Sequence, residues 1–336
     1  MDKRPNLKNA FQRLPRSSST PAVILFVLAS LFVALGTDAN FDWNYLVSFI
    51  NSNIMVLCIC VGEAVVILTG GIDISLGATV SLCNVLIVTL LGKGMPLFPA
   101  ILIMFAVAIT AGLVNGFMVG VMRVSPLLTT YATSIVYGGL ALVVTRIPIY
   151  LKTSELSTFY KYRLFGVLPM SLLFVLILYG IWKLYKSTPY GVHIYAIGEN
   201  EQSAYASGIP VVRTKLITYG FAGFAAGMGA LAVTGMIRGG DPKIGLSMPM
   251  TAISAVVIGG VSLSGGKGDV GGGLFGSLFL VMLSNIIVFW GINTFWQELL
   301  RTLILLASIV VATLLSQRSE NKRRKGGQCH DKTAKQ

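Results

Sequence analysis

Ten apolar runs, most of them near 20 residues, leave this chain few ways to fold. They cover residues 21–36, 46–69, 74–91, 97–122, 126–145, 168–185, 216–236, 248–263, 274–290 and 295–315. A helix needs about 20 apolar residues to cross the hydrocarbon core of a bilayer. Backbone amides cannot stay unpaired there, so each run is expected to be helical. The expectation is an all-α, polytopic membrane protein with about ten transmembrane helices.

Composition excludes the rival classes. Of the 336 residues, 54% are hydrophobic and 12% are charged, more apolar surface than a soluble core can use. The net charge of +13 comes from basic residues spread over tails and loops, not from one soluble face, so nucleic-acid binding is not indicated. Cys58, Cys60 and Cys83 lie in apolar runs, where cysteine acts as a small hydrophobe, and Cys329 sits beside His330 in a charged tail. With two histidines in the chain and no cluster of nucleophile, base or metal ligands, no enzyme is expected.

The charges also set an orientation. With the N-terminus inside, the inner segments hold residues 1–20 with five basic side chains, then Arg123, Lys183, Lys186, Arg213, Lys215, Lys267 and seven more from Arg318 onward. The outer segments hold eight: Lys93, Arg146, Lys152, Lys161, Arg163, Arg238, Lys243 and Arg301. Positive charge favours the cytoplasmic side, so both termini are expected there. Residues 1–20 and 317–336 then form basic cytoplasmic tails around a transmembrane domain at 21–316. The first run reads as a retained span rather than a cleaved signal peptide. Trp43, Trp290 and Trp296 fall near outer boundaries, where indole rings settle.

Within the membrane part the chain repeats itself. Gly70-Gly-Ile-Asp-Ile-Ser-Leu-Gly aligns with Gly239-Gly-Asp-Pro-Lys-Ile-Gly-Leu, Gly92-Lys-Gly with Gly266-Lys-Gly, and Asn115 with Asn285, at offsets of 169, 174 and 170. Two repeats, at about 46–145 and 215–315, are displaced by five spans and so point in opposite directions. Inverted repeats of this kind place a solute path between the halves of transporters.

The polar residues inside the runs are few. Glu63 is the clearest intramembrane ionisable group; it either faces a cavity or partner, or snorkels to the inner surface. Asp73 is expected to accept from backbone N–H groups freed by the Gly70–Gly71 break, and Ser75 to cap the next helix. Asn53, Asn84, Asn115, Thr129, Thr130 and Asn285 supply neutral donors and acceptors of the kind a sugar path needs, although ordinary interhelical hydrogen bonds explain any one of them. Pairs of glycines four apart, 116 with 120, 223 with 227 and 272 with 276, read as close-packing faces. In the stretch 266–271, Gly-Lys-Gly-Asp-Val-Gly formally matches a dinucleotide fingerprint but lacks the βαβ context, and Lys267 is not followed by Ser or Thr as in a P-loop. Any ATP is therefore expected on another chain, and no cofactor on this one. Lys267 is assigned to lipid headgroups or a partner at the inner surface.

The largest inner loop, 186–215, carries Glu199-Asn-Glu-Gln-Ser-Ala-Tyr-Ala-Ser-Gly. Asn200 is placed to cap a short helix, Glu201 suits its first turn, and Gly208 with Pro210 stops it. Ala204 and Tyr205 would be available for docking. Spacing alone favours a simple surface loop over a docking helix.

Four stretches in order then resemble the permease subunits of bacterial ribose-type sugar ABC importers. They are Ile-Leu-Thr-Gly-Gly-Ile-Asp-Ile-Ser-Leu-Gly at 67–77, Tyr-Ala-Ile-Gly-Glu-Asn-Glu at 195–201, Ala-Ser-Gly-Ile at 206–209, and the Ala252 to Gly268 stretch that contains Gly259, Gly260, Gly265 and Gly266. The resemblance implies a partner set: two cytoplasmic ATP-binding subunits, an extracytoplasmic solute-binding protein, and a second permease copy or paralogue. It also implies that Glu199 to Gly208 couples to the ATPase. Two departures bear on the solute: Pro249, Met250 and Thr251 precede Ala252 where such permeases carry acidic residues, and Glu199 stands where a glycine is frequent. A branched-chain amino-acid permease and an ion-coupled secondary transporter remain as alternatives.

Overall fold

The computed structural model describes residues 19–36, 42–151 and 155–290, with isolated positions from 293 to 306. Its helices are α1 (Thr20–Gly36), α2 (Trp43–Leu68), α3 (Leu76–Gly92), α4 (Leu97–Gly120), α5 (Pro126–Val144), α6 (Glu155–Lys161), α7 (Met170–Lys186), α8 (Pro189–Glu199), α9 (Glu201–Ala206), α10 (Val211–Ile237), α11 (Met248–Ile258) and α12 (Val270–Phe289). Two short antiparallel pairs decorate one end. In one, β1 (Ile149–Tyr150) meets β4 (Gly239–Gly240); in the other, β2 (Arg163–Leu164) meets β3 (Leu168–Pro169).

The chain is a mostly helical, multi-pass membrane protein. Among the described residues, α2, α4, α5, α10 and α12 are long and apolar enough to span, and α7 with α8 makes a sixth if that pair, bent by 87°, counts as one. α1, α3 and α11 are shorter apolar helices. The expected run at 248–263 is the clearest correction. Only 11 residues of it are helical, about 16 Å at 1.5 Å per residue, roughly half the hydrocarbon thickness. The stretch before it, 238–247, is irregular apart from β4. The tenth run, 295–315, lies outside the described residues except for isolated positions.

Two helices make the centre. The most apolar 18-residue windows of α2 and α10 are 72% and 78% buried, against 28% for both α4 and α5. A helix apolar on all sides belongs inside, and α2 is buried without interruption from Val56 to Leu68. α4 and α5 turn large apolar side chains such as Phe98, Leu128 and Val143 outward, as lipid-facing helices do.

Small residues let these helices touch. A Cβ on Gly112 or Gly116 of α4 would crowd α10, and one on Gly223 would strike the Ala108 carbonyl. Gly272 and Gly276 of α12 meet Gly259 and Ala255 in the same way. These are the expected glycine faces, with Gly112 closer to its neighbour than Gly120. In a bilayer, where lipid tails compete with any apolar contact, such close approach is what holds helices together. At the start of α2, Asp42 caps the helix by accepting from the Tyr45 amide at 2.8 Å, and this bond holds its carboxyl below the usual carboxylate range.

Candidate functional site

The break between α2 and α3 is the most polar place in the interior. α2 stops because Gly70 takes the left-handed conformation, φ +77°, while Gly70 and Gly71 return their amides to Ile67 and Val66. Gly71 leaves no room for a side chain, because a Cβ there would sit 2.6 Å from the Tyr219 hydroxyl on α10. Past the glycines, Asp73 is completely buried. Its Oδ1 accepts from the Ser75 amide at 2.9 Å and the Ser75 hydroxyl at 2.6 Å, and the Asn115 amide approaches both carboxylate oxygens at 3.4 and 3.5 Å. Asn115 also donates to Ser75 Oγ at 2.7 Å.

Neighbouring helices fasten the same seven-residue break. Glu63, one turn from the end of α2, accepts from the Asp73 amide at 3.2 Å, and Thr130 of α5 donates to the Ile72 carbonyl at 3.1 Å. Glu63 is wholly buried, so it faces a partner and does not snorkel. Ser75 corrects an expectation: it occupies the position before α3, but its hydroxyl is spent on Asp73 and makes no cap bond. Thr129 is buried beside Thr130, its hydroxyl without a hydrogen-bond partner among the described residues.

Asn84 belongs to a second network further along α3. Its amide donates to Thr234 at 2.7 Å and to the Gly239 carbonyl at 2.9 Å, and its oxygen accepts from the Asp241 amide at 2.8 Å. With Ser81 accepting from the Gly245 amide at 3.0 Å, α3 holds the irregular segment that leads into α11.

Asn53 and Asn285 meet elsewhere. Both line a cavity of about 230 Å³ between α2, α11 and α12, together with Ser52, Met248, Thr251 and Ser284. No charged side chain is among its described lining residues. The half-length helix α11 begins at this cavity, and a helix start presents free amides and the positive end of its dipole.

The face assigned to the cytoplasm is tied together by backbone. The Gly266 amide donates to the Leu68 carbonyl at 3.0 Å, so the glycine hairpin caps the end of α2. A Cβ on Gly198, at the end of α8, would collide with that same carbonyl and with the Gly266 amide. Gly260, Gly265 and Gly266 hold the hairpin in left-handed conformations. Tyr195 donates to the Gly268 carbonyl at 3.1 Å, and Lys186 pairs with Asp269, which caps α12 through the Gly271 amide. The amides of Gly265 and Gly266 are bonded within the protein, to the Ser262 and Leu68 carbonyls.

The short helix of the inner segment forms as the residues require. Asn200 caps α9 by accepting from the Ser203 amide at 2.8 Å, and Gly208 ends the turn at φ +80°. Glu199 closes α8 against Gly266. Ala204 is a correction. It is 4% exposed and packs with Ile197 and Val211, so it is not available for docking, whereas Tyr205 is 68% exposed. Glu201 pairs through both carboxylate oxygens with Lys215 of α10, each at 2.7 Å. A cavity of about 910 Å³ opens between α9, α10 and the α4–α5 turn, and Gly70, Gly71 and Tyr219 reach it from the polar break. Lys215, Tyr219 and Gly198 carry this arrangement without having stood out in the sequence. Helix α8 also went unread there.

Comparison with known proteins covers most of the chain. Residues 45–309 match a family described as the branched-chain amino acid transport system / permease component. The ribose import permease protein RbsC of Bacillus subtilis (strain 168) is 34% identical over 264 residues, covering 75% of this chain and 80% of its own. The autoinducer 2 import system permease protein LsrC of Enterobacter sp. (strain 638) is 32% identical, covering 80% and 78%. A solved metal-chelate type ABC transporter in an inward-facing conformation is a looser match, with a TM-score of 0.44 and 12% identity over 81% of this chain and 89% of the other.

Proposed function

The chain belongs to this family of transport-system permease components, and on that premise we propose that it carries a monosaccharide or similar small polar solute inward as the membrane subunit of an ATP-driven importer. As a permease it is a non-catalytic, multi-pass protein of the inner membrane. The observation that carries the reading is the 34% identity to a ribose import permease along three-quarters of the chain. The family description mentions amino acids, but the relatives at 34% and 32% identity are named for ribose and autoinducer 2. An ion-coupled carrier would need coupling carboxylates open to the solute path, and Glu63 and Asp73 are completely buried at the α2 break.

In this reading the partners are two ATP-binding subunits, a solute-binding protein outside and a second permease. ATP binds the partners, and both termini of this chain face the cytoplasm. Ten spans in two inverted repeats are the architecture. Its support is the parallel between α2 with α3 and α10 with α11: a long buried helix ends in a left-handed residue, Gly70 or Arg238, and a shorter apolar helix follows a non-helical stretch. The uncharged cavity at Asn53 and Asn285 suits a neutral hydroxylated solute better than an ion.

α8 turns 87° from α7 and so lies along the inner surface, with α9 at its end. There Tyr205 meets the ATPase. Tyr205→Asp is expected to leave thermal stability unchanged, because the side chain is exposed, and to weaken ATPase retention by about tenfold or more, the loss of one central aromatic contact. Purification of the variant with its ATPase measures this. Full retention with normal uptake would remove α9 from the docking surface. Ala204→Asp is not a test of docking, since it places a charge in the packed side of α9.

A further inference from the structure

We propose that the Glu201–Lys215 ion pair is the link that carries movement of α9 into α10; this rests on the ATP-driven reading above. Lys215 is a lysine that cannot act on its own. Its side chain is 9% exposed, its stem lies against Gly120 of α4, and its ammonium meets both oxygens of one carboxylate at 2.7 Å. That carboxylate is the first residue of the short helix at the inner surface. Glu201 is 53% exposed, so the pair adds little to stability. It does fix a position. An ammonium held this way moves when its partner moves, or the pair separates.

Lys215 is also placed to pass the movement on. It lies in the first turns of the 27-residue α10, which runs the depth of the molecule. One turn further, Tyr219 presses its hydroxyl on Gly71 at the polar break, and Thr234 near the far end holds Asn84. α10 packs along α4 at glycines and touches α2, α3 and β4. A shift at Lys215 therefore reaches the α2 break and the irregular segment before α11 through one rigid element. Both members are positioning residues; neither touches solute.

The variant Glu201→Gln keeps the shape and removes the charge. Lys215 lines the 910 Å³ cavity, so its ammonium can turn to water there and the fold should survive. The readout is an environment-sensitive fluorophore on Met236→Cys, at the partly exposed outer end of α10, in proteoliposomes of the complete complex. ATP with vanadate should shift its emission in the wild-type background. In Glu201→Gln the shift should fall at least about fivefold while the thermal midpoint holds. The exchange Glu201→Lys with Lys215→Glu should restore it. A full shift in Glu201→Gln, or an exchange that folds without restoring the shift, overturns the proposal. Lys215→Met, which removes the buried charge altogether, must lose the shift as well; if it keeps it, the link is not this pair. A wild-type complex with no ATP-dependent shift would instead contradict the ATP-driven reading.

Discussion

Gly198→Ala is expected to stop transport, although the added group is one methyl. The new Cβ has nowhere to go. It would collide with the Leu68 carbonyl and the Gly266 amide, which are bonded to each other at 3.0 Å. Overpacking of this kind costs about 1–3 kcal/mol, and here the obstacles are backbone atoms that cannot change rotamer. The end of α8 would be pushed from both the end of α2 and the glycine hairpin, and α9 would go with it. The thermal midpoint of the purified protein should fall by several degrees, and solute uptake by at least about tenfold. Gly180→Ala is the matched control, a helical glycine in α7 where a Cβ meets nothing, and it should be neutral or mildly stabilising. Uptake in Gly198→Ala equal to that in Gly180→Ala would mean that the inner junction is looser than the structure shows.

Asp73→Ala should have the largest effect on stability. Three donor contacts lose their acceptor at once: the Ser75 amide, the Ser75 hydroxyl and the Asn115 amide, all in a completely buried cluster. Each buried donor left unpaired costs about 1–3 kcal/mol, so the loss should reach about 3 kcal/mol or more. Asp73→Asn should be much milder. Its carbonyl can still accept from the Ser75 amide, and the free Asn115 oxygen can accept from the new amide after a side-chain flip. Thermal unfolding of the two variants side by side reads the difference. Equal midpoints for the two would show that the α2 break is held by something other than Asp73.

How far the sequence disclosed this structure follows from what each residue type depends on. Apolar run length located eight helices within a few residues, because span length is set by the bilayer and not by neighbouring helices. Glycines four apart marked the seams for the same reason. Asn200, Gly208 and the role of Asp73 as acceptor were readable because caps and turns are local. The shortness of α11 was not, since its apolar run continues past Ile258 into the hairpin and only tertiary contacts decide where the helix stops. Ala204 looked like a docking residue because a two-turn helix has no clear inner face in sequence. Lys215 and Tyr219 escaped notice because their importance comes from Glu201 and Gly71, which are brought to them by the fold.

The most direct test of the central claim is uptake of labelled D-ribose by membrane vesicles that contain the chain, its ATPase and its binding protein. Hydrolysis is left active in one preparation and blocked by inactivating the ATPase in the other. The predicted result is accumulation against a gradient only where ATP is hydrolysed, insensitive to collapse of ion gradients. Accumulation that persists with the ATPase inactive, and disappears when the ion gradient is dissipated, would contradict it.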